Sequence, residues 1–183
     1  MSRIGKKIIP IPEGVKVSIK SGSIELTGPQ GTVQQPFPSV ISVECDEANK
    51  LIRVTRPDDE KQSKSLHGLV RALVANAVVG VTKGYKKSLD VVGGGYNAKL
   101  KGKQLELQVG YSLPRTLMIP EGLVVEAPTP LKIIIKGCDK HLVGQFAANV
   151  RAVRPPDSYK GKGIRYEGEV IKIKAGKTFA GAS

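Results

Sequence analysis

A chain of 183 residues holds 29 lysines and arginines against 16 aspartates and glutamates, a net charge of +13, with 40% apolar and only 4% aromatic residues. That length covers one or two small domains, each able to bury a core, and with so few aromatics the core must be aliphatic. So large a positive excess points to a polyanionic partner, while the lack of an apolar run of membrane-spanning length and of a signal-peptide apolar stretch predicts a cytosolic chain with no membrane partner.

In chain order, residues 1–7 form a short basic arm with no apolar periodicity, carrying Arg3, Lys6 and Lys7, and are expected to order only on a partner. Pro10 and Pro12 hold the next residues extended. Val15–Lys20 alternates apolar with polar residues, Ser21-Gly22 turns the chain, and Ile24–Leu26 returns, which predicts a hairpin. Gly28–Gly31 is a further turn. Val40–Val43 and Leu51–Val54 predict a second hairpin around the polar loop Asp46–Lys50.

A helix follows, with Leu66, Leu69, Val70, Leu73, Val74, Ala77, Val78 and Val81 on an apolar stripe. Asp58, Asp59 and Glu60 stand where a helix start favours anions, and Lys83-Gly84 suits its end. His67 has no cysteine, histidine or carboxylate set around it and is expected at the surface or as a cap. Cys45 and Cys138 match no metal spacing and are expected to be buried thiols.

The plan then repeats. Shifted by 81 residues, Val15–Leu26 (VKVSIKSGSIEL) lies over Tyr96–Leu107 (YNAKLKGKQLEL). Pro12-Glu-Gly-Val15 is echoed, out of that register, by Pro120-Glu-Gly-Leu123. Leu51–Val54 is matched by Leu131–Ile135, and the long helix by His141–Val153, with Leu142, Phe146, Val150 and Val153 apolar and Asp139 as N-cap. Lys86–Val92 is a strand leading into the second copy. These patterns predict an α+β fold of two related domains from an internal duplication, each an antiparallel-rich sheet with one packed helix. The divisions are a basic arm at 1–7, a first repeat at 8–82, a second at 83–174 and a tail at 175–183.

The charge is uneven. Residues 1–82 carry 11 cations against 8 acids, a net +3, and residues 83–183 carry 18 against 8, a net +10. The polyanion-binding face is therefore placed on the second repeat. Its focus is Arg151–Tyr166. Pro155-Pro156 ends the second helix. Glycine then alternates with cation around one tyrosine, in Tyr159, Lys160, Gly161, Lys162 and Gly163, with Arg165 after them. The two glycines let the backbone approach a partner closely. With Arg151, Arg154, Lys172, Lys174 and Lys177, these cations suit a phosphate backbone. Tyr159 either stacks on an exposed base or sugar or packs against Pro156. Lys172 and Lys174 alternate with Ile171 and Ile173 on an expected strand, facing either a partner or plain solvent. Arg3, Lys6, Lys7, Lys83, Lys86 and Lys87 form a lesser basic set.

No catalytic set of Ser-His-Asp or Cys-His type is apparent. Gly93-Gly94-Gly95 lacks the phosphate-loop pattern and precedes a strand, so it is taken as a bulge or a close strand crossing rather than a nucleotide site. No cofactor, metal or small-molecule substrate is expected. A free nucleic-acid-binding module would show the same charge; sedimentation with a large particle at one copy separates the two possibilities.

Pro156–Ile164 (PDSYKGKGI), the start Met1–Lys7, Leu66-His-Gly-Leu69 and Gly144-Gln-Phe-Ala-Ala-Asn-Val150 together resemble the bacterial-type large ribosomal subunit protein six family over nearly the whole chain. One departure is Leu113, where many relatives carry histidine, so a polar contact from that position is not carried over. The resemblance implies a non-enzymatic component of the large ribosomal subunit that binds large-subunit ribosomal RNA near the sarcin–ricin loop and stalk base. It also implies neighbouring large-subunit proteins and translation factors nearby, with the second domain and tail making most of the RNA contact.

Overall fold

The computed structural model describes residues 5–46 and 48–176. They fall into two compact units. Unit 1 draws its described residues from Met1–Tyr85 and Gly137–Lys140, and unit 2 from Lys86–Lys136 and His141–Ser183.

Unit 1 contains β1 (Ile9–Pro10), β2 (Lys16–Lys20), β3 (Ser23–Gly28), β4 (Gly31–Pro36), β5 (Ser42–Asp46), β6 (Leu51–Thr55) and the helix α1 (Lys61–Thr82). The strands form two three-stranded sheets, in the orders β2-β3-β4 and β1-β6-β5, with every pairing antiparallel. Alternation along β3 sends Ile24 and Leu26 fully into the core, where they meet Ile41, Ile52, Val70, Val74 and Val81. The second hairpin therefore starts two residues later than the periodicity predicts, because Ile41 is core but lies outside β5.

Helix α1 is long and apolar enough to cross a membrane by length and composition alone, contrary to the reading of the sequence. Its buried face, Ser63, His67, Val70, Val74, Ala77, Val78 and Val81, packs it as the core helix of unit 1. That face is rotated from the expected stripe. Leu69 is 53% exposed and Leu73 is half-buried, while Ser63 and His67 point inward. Gly80 faces the core too, because a Cβ there would overlap the Cys138 carbonyl. The helix ends at Lys83, and Gly84 takes a φ of 73° while donating to the Gly80 carbonyl at 3.0 Å, as the Lys-Gly pair predicts. At the other end Asp58 accepts from the Glu60 amide at 3.0 Å, and the Ser63 hydroxyl beside it holds its carboxyl below the usual range.

Unit 2 contains all but the first residue of β7 (Tyr85–Val92), then β8 (Asn97–Lys101), β9 (Gln104–Gln108), β10 (Arg115–Met118), β11 (Leu123–Thr129), all but the last residue of β12 (Lys132–Gly137), all but the first of the helix α2 (Lys140–Val153), and β13 (Gly163–Tyr166). Its sheets run β10-β9-β8 and β11-β12-β7-β13. Leu89, Val91, Leu105, Leu107, Ile133, Ile135 and Ile164 fill the core with Val143, Phe146, Ala147 and Val150 of α2. Phe146 and Val150 are where the sequence places them; Val143 and Ala147 replace Leu142 and Val153 on the buried face.

The duplication is legible atom by atom. Ile19 pairs with Ile24 across the first hairpin and Leu100 with Leu105 across its counterpart. The ion pair Lys20–Glu25 recurs as Lys101–Glu106, each at 2.5 Å. The Pro-Glu-Gly turns also match, with Gly14 at φ 83° and Gly122 at φ 84°, and amide-to-carbonyl bonds of 3.3 Å from Val15 to Pro12 and 3.4 Å from Leu123 to Pro120.

Four further expectations change. His67 is buried, at 4% exposure. Cys45 and Cys138 are half-buried rather than fully enclosed. The glycine triplet is a turn between β7 and β8, closed by a 3.3 Å bond from the Tyr96 amide to Gly93, and Gly93 makes room for the Tyr96 ring. Residues 171–176 form no strand: Lys172 and Lys174 are exposed, Ile171 is half-buried and Ile173 is 66% exposed.

Candidate nucleic-acid interface

The basic stretch Arg151–Tyr166 begins where α2 stops. After Val153 the chain cannot continue as helix, because Pro155 and Pro156 lack amide donors. It folds back at once: the Ile164 amide donates to the Arg154 carbonyl at 2.7 Å, and β13 then pairs antiparallel with β7, setting Arg165 opposite Asp90. The expected free loop is therefore half strand. Its remaining part, Asp157–Lys162, is braced from within. Asp157 donates its amide to the Lys162 carbonyl and accepts the Gly161 amide on its own carbonyl, both at 2.9 Å. Its carboxylate takes the Lys160 amide at 2.9 Å. The Lys174 amide bonds the Ser158 carbonyl at 2.8 Å, which ties the following segment to the loop.

The glycines serve this brace. Gly163 is buried with φ 144°, and a Cβ there would stand 2.6 Å from the Pro155 carbonyl oxygen. Gly161 is buried with φ 65°, a conformation costly for other residues. The close backbone approach expected toward a partner is thus, for Gly163, an approach to Pro155-Pro156 of the same loop. What the loop presents outward is Tyr159, 60% exposed, and the exposed side chains of Lys160 and Lys162.

The cations divide into two groups. Arg151 is committed internally: it forms a two-pronged ion pair with Glu169, at 2.6 and 3.2 Å. That bond holds the Glu169 carboxyl below its ordinary range, helped by the Tyr166 amide, and pushes the Arg151 guanidinium up. Arg151 and Lys87 also lie over the Tyr166 ring, 5.8 and 5.6 Å from its centre. The half-buried Arg165 is close enough to Glu169 to add to that depression. Lys132 pairs with Glu167 at 2.6 Å. By contrast, Arg154, Lys160, Lys162, Lys172 and Lys174 have no carboxylate partner among the described residues. Arg154 instead lies 5.1 Å from the centre of the Tyr111 ring, whose hydroxyl beside it pushes its guanidinium up.

Sequence reasoning missed Tyr111 and Arg115. Arg115 lies 5.2 Å from the centre of the same ring, and the Tyr111 hydroxyl donates to the Val153 carbonyl at 3.0 Å. The one local signal was a cation four residues after a tyrosine across Pro114, which says nothing about Arg154 until the chain is folded.

The lesser basic set is scattered. Lys6 and Lys7 border a cleft of about 540 Å³ in unit 1 with Arg53, Arg56 and His67. The arm is not free there: Gly5 is buried against the His67 ring, and Arg71 donates to the Lys7 carbonyl at 3.0 Å. Lys83 is exposed in unit 1, and Lys86 and Lys87 are exposed in unit 2. Arg3 and Lys177 lie outside the described residues. Among the described residues no cluster of three or more His, Cys, Asp or Glu side chains could hold a metal ion.

Known proteins resemble this sequence along nearly its whole length. The family profile for "Ribosomal protein L6" matches residues 11–84 and again 92–167, one match to each repeat. "Large ribosomal subunit protein uL6" of Desulfitobacterium hafniense is 55% identical over 180 residues, covering 98% of this chain and 97% of that one. The proteins of the same description from Carboxydothermus hydrogenoformans and Dictyoglomus turgidum are 51% and 52% identical, each over 178 residues, with 97% of this chain covered. Two matched repeats and about half the residues shared over the full length place the chain in the ribosomal protein L6 family.

Proposed function

We propose that the chain is a non-catalytic structural component of the large ribosomal subunit in the cytoplasm, and that unit 2 binds large-subunit ribosomal RNA. The observation that carries this reading is the braced loop Asp157–Lys162, which holds Lys160 and Lys162 outward with no carboxylate partner among the described residues. A loop ordered by its own hydrogen bonds loses little freedom on binding, so its cations meet phosphates at low entropic cost. Arg154, Lys172 and Lys174 extend the same unpaired charge, and the exposed Tyr159 ring offers a stacking surface for an unpaired base. Arg151, Lys87 and Arg165 support the surface from behind through Glu169 and Tyr166. The site on the subunit is the one the family resemblance implies, near the sarcin–ricin loop and stalk base, beside other large-subunit proteins and within reach of translation factors.

The test is affinity for transcribed large-subunit ribosomal RNA across a salt series. Lys160→Ala with Lys162→Ala is expected to lower the log–log salt slope by roughly 1.4 to 1.8, the counterion release of two phosphate contacts. A folded double variant with the wild-type slope would show that the loop faces solvent.

A further inference from the structure

Tyr111 gathers two guanidinium groups around one ring, Arg115 at 5.2 Å and Arg154 at 5.1 Å from its centre. The ring is fixed in place, because its hydroxyl donates to the Val153 carbonyl at the last turn of α2. The preceding Gly110, at φ 79°, leaves room for the Tyr96 hydroxyl. Arg115 begins β10, an edge strand, and its side chain is exposed. Two like charges held around one ring repel, and the ring's quadrupole offsets only part of that repulsion.

Four other cations of unit 2 are neutralised from within, in the pairs Lys101–Glu106, Lys132–Glu167, Lys136–Glu126 and Arg151–Glu169. The charge around Tyr111 is not: neither arginine has a carboxylate partner among the described residues. An anion placed between them would neutralise the pair. Arginine is the side chain suited to this place, since its planar fork both stacks on an aromatic face and binds phosphate oxygens two at a time. The Arg154 carbonyl also accepts the amide of Ile164, two residues beyond the braced loop. The anion that suits both features is a phosphodiester chain rather than an isolated carboxylate.

Resting on the RNA-binding reading above, we propose that Arg115 and Arg154, mounted on Tyr111, form an arginine clamp for backbone phosphates of the ribosomal RNA. Arg115 is then a contact residue, and the RNA-binding surface extends from the Lys160–Lys162 loop to the start of β10.

The experiment uses full-length protein and transcribed large-subunit ribosomal RNA at several potassium chloride concentrations, with each variant's folding checked by its urea midpoint. Arg115→Ala is expected to lower the salt slope by roughly 0.7 to 0.9, one phosphate's worth. Arg115→Lys keeps the charge but loses the fork, so it is expected to keep the slope and bind about tenfold more weakly. Lys160→Ala with Lys162→Ala runs alongside. If that double variant flattens the slope and Arg115→Ala does not, the clamp is wrong and the loop reading stands. If neither flattens it, both are wrong. Arg115→Ala with a wild-type slope but poor incorporation into large subunits would assign the arginine pair to an acidic protein neighbour and overturn the clamp.

Discussion

The buried imidazole of His67 bonds the Val54 carbonyl at 2.8 Å, joining α1 to β6. Its other nitrogen lies 3.2 Å from Arg56 Nη1. A guanidinium only donates, so Nδ1 accepts and Nε2 carries the proton given to Val54. These two bonds fix the ring in one tautomer. Asp59 anchors Arg56 from the far side, and the Arg56 bond holds the Asp59 carboxyl below its ordinary range.

Replacing this histidine tests that arrangement. His67→Leu fills similar space but strands the Val54 carbonyl and removes the acceptor for Arg56, whose side chain is only 10% exposed. The expected cost is about 1–3 kcal/mol for the buried carbonyl left unpaired, since Asp59 still holds Arg56. Urea unfolding of unit 1 measures it; a midpoint equal to wild type would mean that water replaces the imidazole.

Acid should weaken unit 2 through Glu169. Its folded carboxyl titrates below the ordinary value of 4.5, first because of Arg151 and then because of the Tyr166 amide. A depressed folded value contributes stability that is fully present above about pH 4.5 and is lost as pH falls through the folded value. Glu169→Gln should therefore be less stable than wild type at neutral pH and converge on it in acid. Urea midpoints at neutral pH and below the carboxylate range check this. Glu167, lowered by Lys132, leaves part of the acid limb in place in the variant.

Two glycines separate backbone strain from crowding. Gly168 has φ 79° with open space around it, whereas Gly163 has φ 144° and the Pro155-Pro156 backbone in the way. Gly168→Ala should cost about 1 kcal/mol, the strain alone. Gly163→Ala adds overlap and should cost about 2–4 kcal/mol. Equal thermal shifts for the two variants would mean that the proline pair yields, and that the loop is softer than its hydrogen bonds indicate.

Much of this protein is local and therefore legible in its residues. Period-two alternation made the Val15–Leu26 hairpin visible, and its copy at Tyr96–Leu107 brought along the matching Lys20–Glu25 and Lys101–Glu106 pairs. The Lys83-Gly84 stop, the Pro-Glu-Gly echo and the charge excess of residues 83–183 were equally readable, since each is written in the residues themselves. Tertiary structure decided what depends on distant partners. Periodicity gives α1 an apolar stripe but not the angle at which it packs, so Leu69 faces out and His67 in. The same limit governs the basic face. A cation's availability depends on whether a carboxylate far along the chain reaches it, and only the fold shows Glu169 reaching Arg151, no carboxylate reaching Lys160 or Lys162 among the described residues, and Tyr111 drawing Arg115 to Arg154.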